Sequence, residues 1–294
     1  MKYLLLTSFL LLSFVNLTKA QNKPAYQLFK NNGKVANYDK MIKDLAKSDM
    51  VFFGEYHYNP IAHWLQLEVS KSLFEIKKDS LFFGAEMLES GNQLVLDEYL
   101  KGLYPESKML PEMTQMWNNY ATDYRPLVEF AKKNKLRFIA TNIPRRYASL
   151  ISKNGISALK KLSPEALSLI GPDLEKYFDP TVKAYAEMAD NMGGHIPPNM
   201  LNIQTAQAAK DATMAHFSLK NFKKGDLLLH IEGSYHSNYE QGIIWWIHKI
   251  KPGLTLKSVT TVTESEWSKL TPKAKASIAN YIIVVADSMT QTEN

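Results

Sequence analysis

The residue types best suited to chemistry stand close together early in the chain: Glu55, His57 and His63, within Gly54-Glu55-Tyr56-His57-Tyr58-Asn59-Pro60-Ile61-Ala62-His63. Glu55 and His57 are separated by one residue, so in extended backbone their side chains leave the same face and can bind or activate one centre. Three later stretches end in residues of the same kind: Gly84-Ala85-Glu86, Asn142-Ile143-Pro144-Arg145-Arg146 and Ile231-Glu232-Gly233-Ser234-Tyr235-His236. Two imidazoles with carboxylates, here His57 and His236 with Glu55 and Glu86, are the ligand types of zinc or another divalent metal, and equally of general acid–base work. No His-Glu-x-x-His helix accompanies them. Arg145, just after a proline, suits a bidentate grip on a carboxylate. Each residue also has a plain structural role open to it. Glu55 and His57 can bond loop backbone, His63 can bond the same loop from the following helix, and Arg145 can sit in a salt bridge.

The stretches ahead of these residues are what must position them. Val51-Phe52-Phe53, Leu81-Phe82-Phe83, Leu136-Arg137-Phe138-Ile139-Ala140 and Leu227-Leu228-Leu229-His230-Ile231 are short apolar runs of the kind that form strands covered on both faces. Asn59-Pro60 after the first run reads as a turn with proline in the first turn of a helix continuing through Trp64, Leu65, Leu67, Val69 and Leu73. If the sheet is parallel, the four strands deliver Glu55, His57, Glu86, Arg145 or Arg146, Glu232 and His236 to one edge. That edge, outside the carboxyl ends of the strands, is where open α/β sheets bind ligands.

Between the second and third runs the apolar residues recur at helical spacing, which predicts right-handed parallel crossovers. From Tyr147 to about Phe222 the strand signal disappears. Helices are expected around Pro164 to Ile170, Asp173 to Met192 and Asn199 to Leu219, with Gly193-Gly194 and Pro197-Pro198 between the last two. The fold class expected is therefore α/β, a parallel sheet flanked by helices with a smaller all-helical subdomain inserted. The α/β core would span about 38–145 and 223–288 and the insert about 146–222. Two further strands are expected at Leu254 to Val262 and Tyr281 to Ala286, and Gln21 to Asn37 reads as polar with scattered aromatics.

Residues 1–20 carry Met1-Lys2, the apolar run Tyr3 to Val15 and then Asn16-Leu17-Thr18-Lys19-Ala20, which reads as a secretory signal peptide cleaved after Ala20. The run is shorter than the roughly 20 residues a spanning helix needs. A soluble, exported or periplasmic protein is expected, with residues 21–294 as one domain. The chain has no cysteine, which rules out a disulfide framework, thiolate metal sites, a cysteine nucleophile and a lipidated cysteine. The formal charge of +6, which falls to +4 without Lys2 and Lys19, is spread along the chain in isolated lysine pairs. With no basic stripe interleaved with aromatics, nucleic-acid binding is not expected, while an anionic small molecule is compatible. Ser234 lacks a Gly-x-Ser-x-Gly elbow, and neither a phosphate-binding glycine loop nor a dinucleotide fingerprint is present. His216, His230 and His248 lie inside periodic apolar runs and read as core or surface histidines.

Taken in order, the motifs from Gly54 to Pro60 with His63 and Gln66, Gly84-Ala85-Glu86-Met87, Trp117 and Tyr120, Tyr124-Arg125-Pro126-Leu127, Asn142-Ile143-Pro144-Arg145, Asp211-Ala212-Thr213-Met214-Ala215 and Gly233-Ser234-Tyr235-His236 resemble those of the ChaN family of haem-binding uptake proteins. Its superfamily includes Tiki, TraB and the erythromycin esterases. The resemblance implies an exported, non-enzymatic haem-binding protein of iron acquisition, with the porphyrin covered by the helical insert or by a second copy in a homodimer. The alternative it implies is a hydrolase in which Glu55, His57, Glu86 and His236 activate water, alone or on a metal. If haem is the ligand, Tyr185 and His195 in the insert are candidate contacts, since imidazole and tyrosinate ligate haem iron where thiolate is absent, with His63, and Arg145 could pair a propionate. The chain departs from the family in having no cysteine to lipidate and in the bulky Tyr235 where a small residue is common.

Overall fold

The structure is a computed structural model that describes residues 23–114, 116–189 and 196–292. Seven strands form one sheet: β1 (Tyr26–Lys30), β2 (Met50–Glu55), β3 (Leu81–Glu89), β4 (Phe138–Asn142), β5 (Leu227–Gly233), β6 (Leu256–Thr263) and β7 (Tyr281–Val285), in the order β1-β7-β6-β2-β5-β3-β4. Every neighbouring pair is parallel except β1 with β7. β1 escaped the sequence reading because an edge strand buries little. Of its five residues only Leu28 is buried, so no apolar alternation marks it.

The central strands explain why their sequences are unbroken apolar runs. All residues of β2, β3 and β5 are buried, and successive side chains enter opposite layers. Val51, Phe53, Phe83, Leu229 and Ile231 join a core with α1 (Tyr38–Leu45), α2 (Pro60–Lys77), α3 (Gln93–Leu100) and, after the short α4 (Glu106–Met109), α5 (Arg125–Lys133). Phe52, Phe82 and Leu228 join the opposite core with α6 (Arg145–Asn154), then, after the short α7 (Pro164–Leu167), α8 (Leu174–Tyr177) and α9 (Lys183–Ala186), the long α10 (Met200–Asn221) and α11 (Ile243–Ile250); α7 itself buries no residue. The chain closes with α12 (Glu264–Lys269) and α13 (Pro272–Ile278) around β7.

α2 begins as its sequence dictates. Pro60 occupies the first turn, and the Asn59 side chain accepts the backbone N–H groups of Ile61 and Ala62 at 3.1 and 3.0 Å. α6 to α10 make up the helical excursion between β4 and β5. Its α10 lies along the sheet and packs on β4, α6 and α11. The single helix expected from Asp173 to Met192 is instead two short ones, α8 and α9. Pro180 lies between them and has no N–H to continue a helix. Among the described residues no helix is long and apolar enough to cross a membrane. The expected signal segment, residues 1–20, lies outside the described residues.

Candidate functional site

The site is built at the carboxyl edge of β2, β5 and β3, which are adjacent in the sheet. Side chains alternate along each strand, so the two glutamates near the ends of β2 and β3 point into different layers. Glu55 leans toward α2 and α5, and Glu86 toward α10.

Glu55 is 2 % exposed and fully engaged. His57 Nδ1 lies 2.9 Å from Oε1, and the Tyr124 hydroxyl donates to the same oxygen at 2.6 Å. Gln66 Nε2 donates to Oε2, and His63 Nδ1 is 3.4 Å away. Tyr124 arrives from the π-helical turn Tyr120–Tyr124, a type of irregularity that recurs at functional sites. Its hydroxyl stays protonated, because burial and the Glu55 charge push its pKa far above the ordinary value. Burial lowers the His57 pKa, but the Glu55 hydrogen bond and the charges of Glu86 and Glu55 outweigh it and leave the imidazole above its usual range. The His57 side chain is 33 % exposed and stands edge-on to Trp117, with ring centroids 4.6 Å apart.

Glu86 heads the second cluster. Gly233 N donates to Oε2 at 2.8 Å, and His236 Nε2 lies 3.2 Å from Oε1. His236 Nδ1 bonds Asp211 of α10, whose other oxygen accepts the Tyr185 hydroxyl at 2.8 Å; that hydroxyl in turn accepts Trp246 Nε1 at 2.8 Å. Burial opposes charge on His236, but Glu86 and Asp211 on either side push its pKa up to about 10. Burial raises Glu86, yet His236, His57 and the Gly233 N–H hold it well below the usual carboxylate range. A buried imidazolium thus sits between two carboxylates.

The clusters meet at Gly233. A Cβ there would lie 2.7 Å from His57 Nε2 and 3.5 Å from Glu86 Oε2, so only glycine lets the imidazole lie against this turn. In front of His57 and Glu86 opens a cavity of about 330 Å³. Met87, Trp117, Ile143 and Ala148 form its apolar wall, while Glu89, Arg145 and Lys210 give it charge.

Of the residues expected from sequence, Glu55, His57, Glu86 and His236 are brought to this edge, and Arg145 lines the cavity with its backbone N–H on Glu89 Oε1 at 3.0 Å. Two of the expected residues lie away from the cavity. Tyr185 is fully buried with its hydroxyl committed on both sides, so it supports Asp211. His63 is 5 % exposed; one ring nitrogen faces Gln66 Oε1 at 3.1 Å and the other the His57 carbonyl at 3.0 Å, so it braces the loop. His195 lies outside the described residues. The four-residue metal set is divided into the pairs Glu55–His57 and Glu86–His236, with Nδ1 of both imidazoles turned to a carboxylate. Among the described residues no three His, Asp or Glu side chains are grouped to hold a metal ion.

Sequence reasoning gave no role to Asp211, Tyr124, Asn119 or Lys210. Asp211 and Tyr124 lie in motifs already singled out, and Asn119 and Lys210 stand directly beside such motifs, between Trp117 and Tyr120 and just before Asp211.

A family model described as haem-binding uptake, Tiki superfamily, ChaN matches residues 41–247. Among solved structures, one described as cofacial heme binding to ChaN of Campylobacter jejuni superposes with a TM-score of 0.66 at 18% identity, over 88% of this chain and 96% of that one. An erythromycin esterase variant in its open conformation gives a TM-score of 0.52 at 8% identity, over 91% and 98% of the two chains. A Bacillus cereus protein gives 0.51 at 11% identity, over 89% and 95%. At these identities the likenesses are of fold alone. No curated protein matches the chain.

Proposed function

This chain belongs to the ChaN family of haem-binding uptake proteins, and from that premise we propose that it binds haem at the His57 cavity as part of iron acquisition. One observation carries the reading: the cavity joins an apolar wall of Met87, Trp117 and Ile143 to two cationic side chains, Arg145 and Lys210, beside a partly exposed imidazole.

These residues fit the group. A porphyrin needs apolar contact for its faces, cations for its two propionates and a nitrogen or oxygen ligand for its iron. His57 would offer Nε2, with Glu55 holding Nδ1 and thereby the ring's orientation. Arg145 and Lys210 would pair the propionates, and Trp117 would lie against the macrocycle. Bound haem would supply an iron centre that takes a nitrogen or oxygen ligand from the protein. A cavity of about 330 Å³ is at the small end of ligand sites, which run from about 300 to 1,000 Å³. Part of the porphyrin would stay outside it, where a second copy of the chain could cover it. The Met1 to Ala20 segment supports export to the compartment where such a ligand is met.

A hydrolytic reading has its own observation, the two carboxylate–imidazole pairs on either side of Gly233, one buried and one reaching the cavity. On that reading His57, held by Glu55, exchanges a proton with water or a leaving group at the cavity.

Titrating the purified protein with hemin and following the Soret band tests the first reading, and a panel of ester and peptide substrates tests the second. The expected result is saturable hemin binding that weakens at least about tenfold in His57→Ala, with no turnover. Failure of the unaltered protein to bind hemin rejects the haem reading; turnover abolished by His57→Ala establishes the hydrolytic one.

A further inference from the structure

The loop that carries His57 is held from a direction the two clusters do not require. Beyond β7 the chain comes back over it: Thr292 N donates to Tyr58 O at 2.9 Å and the Thr292 hydroxyl donates to Asp123 Oδ2 at 2.7 Å. Asp123, 3 % exposed, is the joint of this arrangement. The same Oδ2 accepts Asn119 Nδ2 at 2.7 Å and lies 3.4 Å from His63 Nε2. Asn119 Nδ2 and His63 Nε2 are also the two groups on the His57 carbonyl, at 2.7 and 3.0 Å. One buried carboxylate oxygen therefore ties the segment after β7 to both donors that fix the His57 backbone. A charged acceptor shared by three neighbours orients them more strongly than a neutral one would.

The same segment helps to form a second cavity. It measures about 310 Å³ and is lined by Tyr56, Tyr58, Met289 and Gln291 together with His57. His57 thus borders both cavities, one over the ends of β3 and β4 and one over the ends of β6 and β7.

We infer that Thr292 and Asp123 are positioning residues for His57, and that the segment after β7 is a strap that sets the imidazole as the partition between the two cavities. The strap acts through the hydrogen bonds on Asp123 and on the His57 and Tyr58 carbonyls. What the first cavity binds rests on the haem reading; the hold of the strap on His57 does not.

The test uses the full chain with Thr292→Val, which keeps the shape and removes the hydroxyl donor, and Thr292→Ser, which keeps the donor. Two readouts are taken: the His57 Cε1–H resonance of the ligand-free protein, identified by its loss in His57→Gln, and the hemin titration. Thr292→Val is expected to move or broaden the His57 resonance and weaken hemin binding about tenfold. Thr292→Ser should match the parent in both, with the melting temperature of all three proteins close together. A His57 resonance unmoved in Thr292→Val, or moved equally in Thr292→Ser, overturns the inference. If the parent binds no hemin, the haem reading falls, and the resonance still decides whether the strap positions His57.

Discussion

Glu232 Oε2 lies 2.7 Å from His230 Nδ1 near the carboxyl end of β5, where burial disfavours charge on both groups. Thr141 Oγ1 spends its one hydrogen on Ala85 O at 2.9 Å, so it accepts from His230 Nε2 at 2.8 Å. A neutral imidazole that donates through Nε2 offers only a lone pair at Nδ1, and a carboxylate cannot donate to it. With a neutral imidazole, then, the proton of the 2.7 Å contact belongs to the Glu232 carboxyl group. The electrostatics agree: burial lowers the His230 pKa to about 3 and raises that of Glu232 well above the usual range.

Glu232→Gln should accordingly be well tolerated, since the amide donates where the acid did. In the parent, the native state keeps a proton on Glu232 that the unfolded chain releases above the ordinary carboxylate value of 4.5, so stability falls as pH rises past it. The variant lacks that loss and should gain in melting temperature at pH 7 relative to its gain at pH 4. A protonated-carboxyl infrared band present at pH 7 in the parent and absent in the variant checks the assignment; its absence from the parent refutes it.

His236 predicts a fall in stability at alkaline pH. Its folded pKa of about 10 is above the ordinary histidine value of 6.5, so the stabilisation is complete below 6.5 and is lost as pH rises through about 10. The effect is on the order of a few kcal/mol. Thermal melts of the parent should drop steeply between those two values, and His236→Asn should start lower and lack that drop.

Tyr185→Phe removes the hydroxyl that links Trp246 to Asp211. Leaving two buried partners short of a bond should cost about 1–3 kcal/mol, read by denaturant unfolding, and leave the Soret position of the hemin complex unchanged. A changed Soret band would return Tyr185 to the ligand set.

Gly233→Ala places a methyl 2.7 Å from His57 Nε2 at a backbone angle (φ −59) that alanine adopts freely. The partly exposed ring can swing away, so the expected cost in stability is about 1 kcal/mol or less. Hemin affinity should suffer far more, by about tenfold or greater. The reverse pattern, a large loss of stability with normal hemin binding, would show that His57 is not what the ligand meets.

The order of apolar runs, the turn at Asn59-Pro60 and the residues that close each run were all legible in the sequence, because each βα unit is written locally: a run buried on both faces, then a capped helix start. That is why the sequence alone points to one edge for Glu55, His57, Glu86 and His236. Which imidazole answers which carboxylate was decided only by tertiary structure. The order β2-β5-β3 sets Gly233 between His57 and Glu86, and α10 brings Asp211, distant in sequence, onto His236. The surroundings of Tyr185 were decided in the same way. A tyrosine at helical spacing looks alike whether it faces a cleft or the core, and only the packing of Trp246 and Asp211 against it says which. The strap through Thr292 left no trace in the sequence at all, since a polar residue after the last strand acquires its partners at Tyr58 and Asp123 only when the sheet has closed around β7 and β2.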